Sequence, residues 1–145
     1  MVENYKKKYD FDLFYFIKNN IDSDFYIYLN NCRKLINDEK TLKLFLSKAK
    51  DIRIIEDKGD ILGVSGIWRV IEDNVVKEYI KINAINKDIF EKLIVVTIWN
   101  AKNNVFIKIK KGYKFINILR NKGFDYVSSG NNEILLVHSK FRKRE

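Results

Sequence analysis

Between Glu91 and Asp125 the chain carries eight lysines and arginines and no acidic residue. Lys102, Lys108, Lys110, Lys111, Lys114, Arg120 and Lys122 alternate there with the rings of Trp99, Phe106, Tyr113 and Phe115. Cations of this kind neutralise phosphates, and interleaved rings can stack on bases, so one reading is a nucleic-acid track. Lys108 and Lys110 would share one strand face, and Lys111 and Lys114 one helix face. No recognised nucleic-acid motif accompanies the charge, and an acidic protein partner would suit it equally. The other reactive residue types are sparse. His138 is the sole histidine and Cys32 the sole cysteine, which leaves no metal-ligand cluster and no internal disulfide. Ser65, Ser128 and Ser129 have no histidine near in sequence to activate them. Gly63 and Gly66 lack the Lys-Ser/Thr that a phosphate loop requires.

The elements that must position these residues follow from periodicity. Tyr9 to Lys18 fits either a helix or a strand. Phe25, Tyr28, Leu29, Cys32, Leu35 and Ile36 recur at three- and four-residue spacing, which predicts an amphipathic helix over 24–37. Asp38 is placed to cap a second helix through Ala49. Strands are expected at 51–56, 61–71 and 75–84. Asp57-Lys58-Gly59-Asp60 and Glu72-Asp73-Asn74 form the turns between them, and Gly63 and Gly66 mark a bulge or a close backbone approach. In the third strand Tyr79, Lys81 and Asn83 alternate with Ile80, Ile82 and Ala84, giving it one polar face. The period then lengthens for a helix at 87–100. A short strand at 105–109, a helix at 111–122 and two strands at 124–127 and 133–138 complete the chain. Gly123 is suited to terminate the last helix, with Phe124 sealing the cap.

The 145 residues, 46% hydrophobic and 14% aromatic, are enough for one domain with a real core, followed by a basic tail at 139–145. The formal charge of +9 is uneven. Residues 1–60 carry 12 basic and 11 acidic side chains, and residues 61–145 carry 16 and 8. No apolar run approaches the roughly 20 residues that span a bilayer. The N-terminal stretch has no signal-peptide cleavage pattern. With the lone cysteine, these features fit a cytoplasmic protein.

The expected fold class is α/β (α+β), a mixed central sheet in the order α-α-β-β-β-α-β-α-β-β. That order, with ILGVSGIWRV at 61–70 and KFINILRNKGFDYV at 114–127, resembles the acetyl-coenzyme A-dependent N-acetyltransferases of the GNAT superfamily. The resemblance implies acetyl-CoA as cofactor and an amine as substrate. It implies that backbone groups of Ile80, Ile82 and Ala84 orient the thioester. The pyrophosphate would sit on a glycine loop opening the following helix. Here that position reads Ile85-Asn86-Lys87-Asp88, without glycine and with a carboxylate where phosphate should lie. Asn86 and Lys87 are the candidate contacts, and Asn86 or Asp88 reads better as an ordinary helix cap. The same basic patch could grip the coenzyme's phosphates instead.

The resemblance further implies a glutamate general base on the central strand, for which Glu78 is the only acid available. A tyrosine general acid is expected four residues before the Gly-Phe pair. Leu119 stands there, and Tyr113 is the nearest phenol. Transfer that is weak or lost is therefore the leading reading, with a nucleic-acid- or acidic-protein-binding module as the alternative.

Overall fold

Four two-residue turns organise the strands of this chain. Lys58-Gly59, Asp73-Asn74, Asn131-Asn132 and Asn30-Asn31 all adopt positive φ at both positions. That conformation matches the twist of a tight hairpin and is tolerated by asparagine, aspartate and glycine. The structure is a computed structural model and describes residues 2–139. The expected basic tail from residue 140 onward lies outside the described residues.

In chain order the elements are β1 (Val2–Asn4), α1 (Asp10–Asn19), β2 (Tyr26–Leu29), β3 (Cys32–Leu35) and α2 (Glu39–Lys48). Then follow β4 (Lys50–Asp57), β5 (Asp60–Glu72), β6 (Val75–Ala84) and α3 (Lys87–Asn100). The last four are β7 (Val105–Lys110), α4 (Ile116–Asn121), β8 (Asp125–Gly130) and β9 (Glu133–His138). Seven strands form one sheet in the order β1-β4-β5-β6-β7-β9-β8, and β2 with β3 forms a separate ribbon. Every pairing is antiparallel except β6 with β7. The mixed central sheet is the one the sequence order predicts.

Alternation along β5 and β6 sends side chains to two cores. Ile67, Ile80, Ile82 and Ala84 pack with Phe90, Leu93, Ile118 and Leu119 under α3 and α4. Val64 and Trp68 face the opposite layer with Leu13, Phe16, Phe25 and Phe45, built from α1, α2 and the ribbon. The two strand glycines make these contacts possible. A Cβ on Gly63 would stand 2.7 Å from Ile89 Cγ2 and 3.2 Å from the Asn83 carbonyl, and one on Gly66 would stand 2.7 Å from Phe45 Cζ. They mark close approach of a helix to each face, one of the two expected alternatives.

Two local expectations are corrected, and one open reading is resolved. The helix predicted over 24–37 is instead the β2–β3 ribbon, with Asn30 at φ 51° and Asn31 at φ 64° between Leu29 and Cys32. The expected stripe is not the buried face: Phe25, Tyr26, Ile27 and Ile36 are buried, whereas Tyr28 and Cys32 are exposed. The ambiguous 9–18 segment is the helix α1. The helix predicted over 111–122 is confined to Ile116–Asn121, because Gly112 turns the chain at φ 81° and Tyr113 N–H donates to the Lys110 carbonyl. Elsewhere the expected caps form. Asp38 accepts from Thr41 N–H at 2.7 Å, and Asn86 accepts from Ile89 N–H at 3.0 Å. At the end of α4, Gly123 N–H bonds the Arg120 carbonyl and Phe124 N–H the Leu119 carbonyl, with Phe124 buried beneath.

Gly63→Ala is expected to cost about 1–3 kcal/mol in urea unfolding, because α3 must move or repack. Gly130→Ala, whose added carbon meets nothing within 4 Å, is expected to stay within about 0.5 kcal/mol.

Candidate splay and aromatic cavity

The parallel ladder between β6 and β7 consists of two pairs, Glu78 with Val105 and Tyr79 with Phe106. Beyond them the strands part. Ile85 N–H donates to Leu62 O, which continues the β5–β6 register. Alternation then makes Tyr79, Lys81 and Asn83 the residues bonded to β5, so the amide edges of Ile80, Ile82 and Ala84 face β7. Similarly, Lys111 N–H donates to Asn132 O, so the even residues of β7, Lys108 and Lys110, turn their amides toward β6. The result is a wedge between two parallel strands, open toward their carboxyl ends and edged with backbone groups. Ile80, Ile82 and Ala84, three of the expected cofactor contacts, stand on one side of it.

Residues from both layers border the wedge. Asp24, from the connection between α1 and β2, accepts the Lys110 amide at 3.0 Å. Burial pushes the Asp24 carboxyl up, against the lowering effect of that amide. Asn83 Nδ2 donates to Asn20 O at 2.7 Å, tying the same connection to β6. From the α3 side, Phe90 stacks on Phe115 with centroids 4.6 Å apart, and both meet the Tyr113 ring edge-on. Tyr113 is 7% exposed. Burial raises its phenol, as do the charges of Asp22 and Asp24 in the opposite layer. Tyr113 thus reaches from the helical layer toward the α1 layer at the mouth of the wedge.

The other expected site residues are scattered. Glu78 lies at the paired end of the wedge, on the α3 face, 2.6 Å from Lys50 and 3.0 Å from Arg69. Burial alone would raise its carboxyl, but hydrogen bonds and charge from Lys50 and Arg69 outweigh it and hold it below the usual range. It borders a cavity of about 280 Å³ with Thr97, Asn100 and Lys102, away from Tyr113. At the start of α3, Asn86 spends its side chain on the helix cap and Asp88 pairs with Lys92 at 3.1 Å; Lys87 is exposed.

The cations of the expected track do not share one face. Lys108 points into the α1 layer over Tyr28 and Tyr79, whereas Lys122 bridges to Glu91 of α3 at 3.0 Å. Lys111, Lys114 and Arg120 are exposed around α4, and Lys110 is half-buried. Among the interleaved rings, Tyr113 and Phe115 belong to the core and Trp99 is 82% exposed. Tyr9 and Tyr26 are core residues, and Tyr5 bonds Asp10.

A second cavity, of about 220 Å³, opens on the α1 side of β6 and is lined by Tyr26, Tyr28, Trp68, Tyr79, Lys81 and Lys108 among others. Lys81 is its unusual member. Burial, reinforced by Lys108 and Arg33, lowers its amine to about 7. The polar face of an otherwise apolar strand, Tyr79-Lys81-Asn83, is the sequence signal that could have found it.

The wedge between parallel strands, the crossover helix α3 and the antiparallel β8–β9 pair together define the GNAT N-acetyltransferase fold. YncA from Salmonella typhimurium, solved with its cofactor acetyl-CoA, superposes with a TM-score of 0.71 at 13% identity, over 100% of this chain and 96% of that one. Ribosomal-protein-alanine N-acetyltransferase from Brucella melitensis gives 0.69 at 10% identity, over 96% and 99%. A GNAT-family acetyltransferase from Streptococcus pneumoniae gives 0.67 at 12% identity, over 94% and 96%. No protein-family model matches the chain, and no curated protein matches it in sequence. At such identities the shared property is the fold. Among the described residues no helix is long and apolar enough to cross a membrane, and no group of histidine, cysteine and acidic residues could hold a metal ion.

The Glu78 pairing has a pH signature. Its contribution is complete above the ordinary glutamate value near 4.5 and is lost as pH falls through the lowered native value. Glu78→Gln is expected to flatten the acid limb of stability against pH, read as urea midpoints between about pH 2 and pH 7.

Proposed function

We propose that this chain is an acetyltransferase-fold protein whose coenzyme wedge is closed, so that acetyl-CoA-dependent transfer to an amine is lost and the scaffold serves as a binding module. The observation that carries this reading is the plug of Tyr113, Phe90 and Phe115, with Asp24 on the Lys110 amide. A pantetheine arm entering the wedge would need the space those rings fill and the amide that Asp24 takes. The start of α3 supports the same conclusion. Its amides are served by Asn86, and Asp88 adds negative charge where a pyrophosphate would need positive. On this reading the residues present do not fit the coenzyme.

One observation favours the active alternative. The amide edges of Ile82 and Ala84 have no strand partner beyond the Tyr79–Phe106 pair, and a coenzyme arm would satisfy them. In that case Glu78, or a water it holds, would take the proton from an amine substrate. A nucleic-acid partner for the basic half is a third possibility that the same titrations read.

Calorimetry with acetyl-CoA is expected to give no heat at high micromolar concentration, and saturable heat would overturn the proposal. Titration of short DNA and RNA at two salt concentrations reads the basic half independently, since binding through phosphates must weaken with salt. Tyr113→Ala tests the plug itself. Removing a buried ring that fills the wedge is expected to cost about 3–5 kcal/mol, whereas a change within about 1 kcal/mol would mean an open slot.

A further inference from the structure

Lys81 has a positive charge to place and no counter-charge at hand. It is 4% exposed and sits at the centre of β6. Among the described residues, no carboxylate stands within ion-pair distance of its amine. Its neighbours are the faces of Tyr26 at 4.1 Å and Tyr79 at 5.8 Å. The acids around the cavity are all engaged elsewhere. Glu72 takes the Tyr79 hydroxyl at 2.8 Å and Lys77 at 3.4 Å. Glu133 takes the Tyr26 hydroxyl at 3.2 Å, with Arg33 at 4.0 Å. Asp24 holds the Lys110 amide. Lys108 and Arg33 add further positive charge over Tyr28 and Tyr26.

A buried amine without a partner is costly, and proteins normally pair or neutralise it. Here the amine borders a cavity of about 220 Å³, walled by tyrosine rings and Trp68. Tyr26 and Tyr28 stand edge to face, at 90° and 5.4 Å, and form a flat-sided corner. This space is below the usual volume of drug-sized sites, which is about 300 Å³ and upward, and it suits a single ring.

We propose that the cavity binds a small aromatic anion, its carboxylate or phosphate paired with the Lys81 amine and its ring against the tyrosine walls. The anion supplies the missing counter-charge, and Lys108 and Arg33 steer it in. The site lies on the α1 side of β6 and does not depend on whether the wedge admits a coenzyme, so the two titrations fail independently.

Trp68 lines the cavity and Trp99 is exposed on α3, so Trp99→Phe leaves one reporter. In that background, benzoate and phenyl phosphate are titrated by fluorescence, with benzamide, benzylamine and inorganic phosphate as controls. At least one aromatic anion is expected to saturate the signal, and the tighter of the two identifies the acid. Lys81→Met is expected to weaken it at least tenfold while raising the urea midpoint, because it removes a buried charge.

A pH series on the unmutated cavity is the second measurement and does not depend on that variant folding. The groups facing Lys81 are Tyr26 and Tyr28 of β2, Arg33 of β3, Asp24 before β2, Glu72 of β5, Tyr79 of β6, Lys108 of β7 and Glu133 of β9. Lys81 is the one lowered to about 7. Affinity is expected to hold at lower pH and to fall about tenfold per unit as the amine loses its proton above that value. No response to either anion, benzylamine or inorganic phosphate binding as tightly, an unchanged affinity in Lys81→Met, or a flat pH profile would each overturn the proposal.

Discussion

Two residue pairs hold the halves of this sheet together. Glu78–Val105 and Tyr79–Phe106 are the whole of the parallel β6–β7 ladder, and everything beyond them must be satisfied another way. A buried amide edge without a partner costs as much as a lost hydrogen bond. The chain answers on the β7 side with Asp24, which crosses from the α1 layer to the Lys110 amide. On the α3 side apolar packing borders the gap, with Phe90 and Phe115 stacked and Tyr113 across them. The ties at Asn20–Asn83 and Asp24–Lys110 also anchor the start of the β2–β3 ribbon. The ties across the wedge and the ribbon wall of the Tyr26–Lys81 cavity therefore share one connection, between α1 and β2.

The same constraint redistributes the basic charge. In the sequence, the cations from Lys102 to Lys122 look like one track. In the fold, β7 alternates, so Lys108 turns to the ribbon side and meets Tyr28 and Tyr79, while Lys122 reaches across to α3. One member of the stretch thus joins Lys81 and Arg33 around the cavity, while Lys102 borders the Glu78 cavity and Lys111, Lys114 and Arg120 are exposed around α4. Local concentration of charge in a sequence becomes local concentration in space only when one element carries it.

Much of the fold was legible because its signals are local. Lys58-Gly59 and Asp73-Asn74 between β-branched runs, the cap residues Asp38 and Asn86, and the Gly123-Phe124 terminator each depend on a few neighbouring residues. The ribbon at 26–35 was missed because Phe25, Tyr28, Leu29, Cys32, Leu35 and Ile36 fall at helical intervals, although Tyr28 and Cys32 are exposed. The deciding signal was Asn30-Asn31, a turn of the same chemistry as Asp73-Asn74. The site was less legible, since it depends on tertiary contact. Phe90, Asp24 and Tyr113 come from three elements, and only the departure of the parallel strands brings them together. Tyr113 stood out as a phenol near the expected position, yet Gly112 ends the strand and moves it off the helix into the core. Lys81 passed as one lysine among many, although a polar face on a central strand covered by a helical layer was the clue to it.

The closed wedge is tested most directly by amide hydrogen exchange along β6 with and without acetyl-CoA. With the wedge filled by the chain's own residues, Ile80, Ile82 and Ala84 are expected to exchange at rates the coenzyme does not change. Selective slowing of those three amides on adding the coenzyme would show that it enters between β6 and β7, and would contradict the closed wedge.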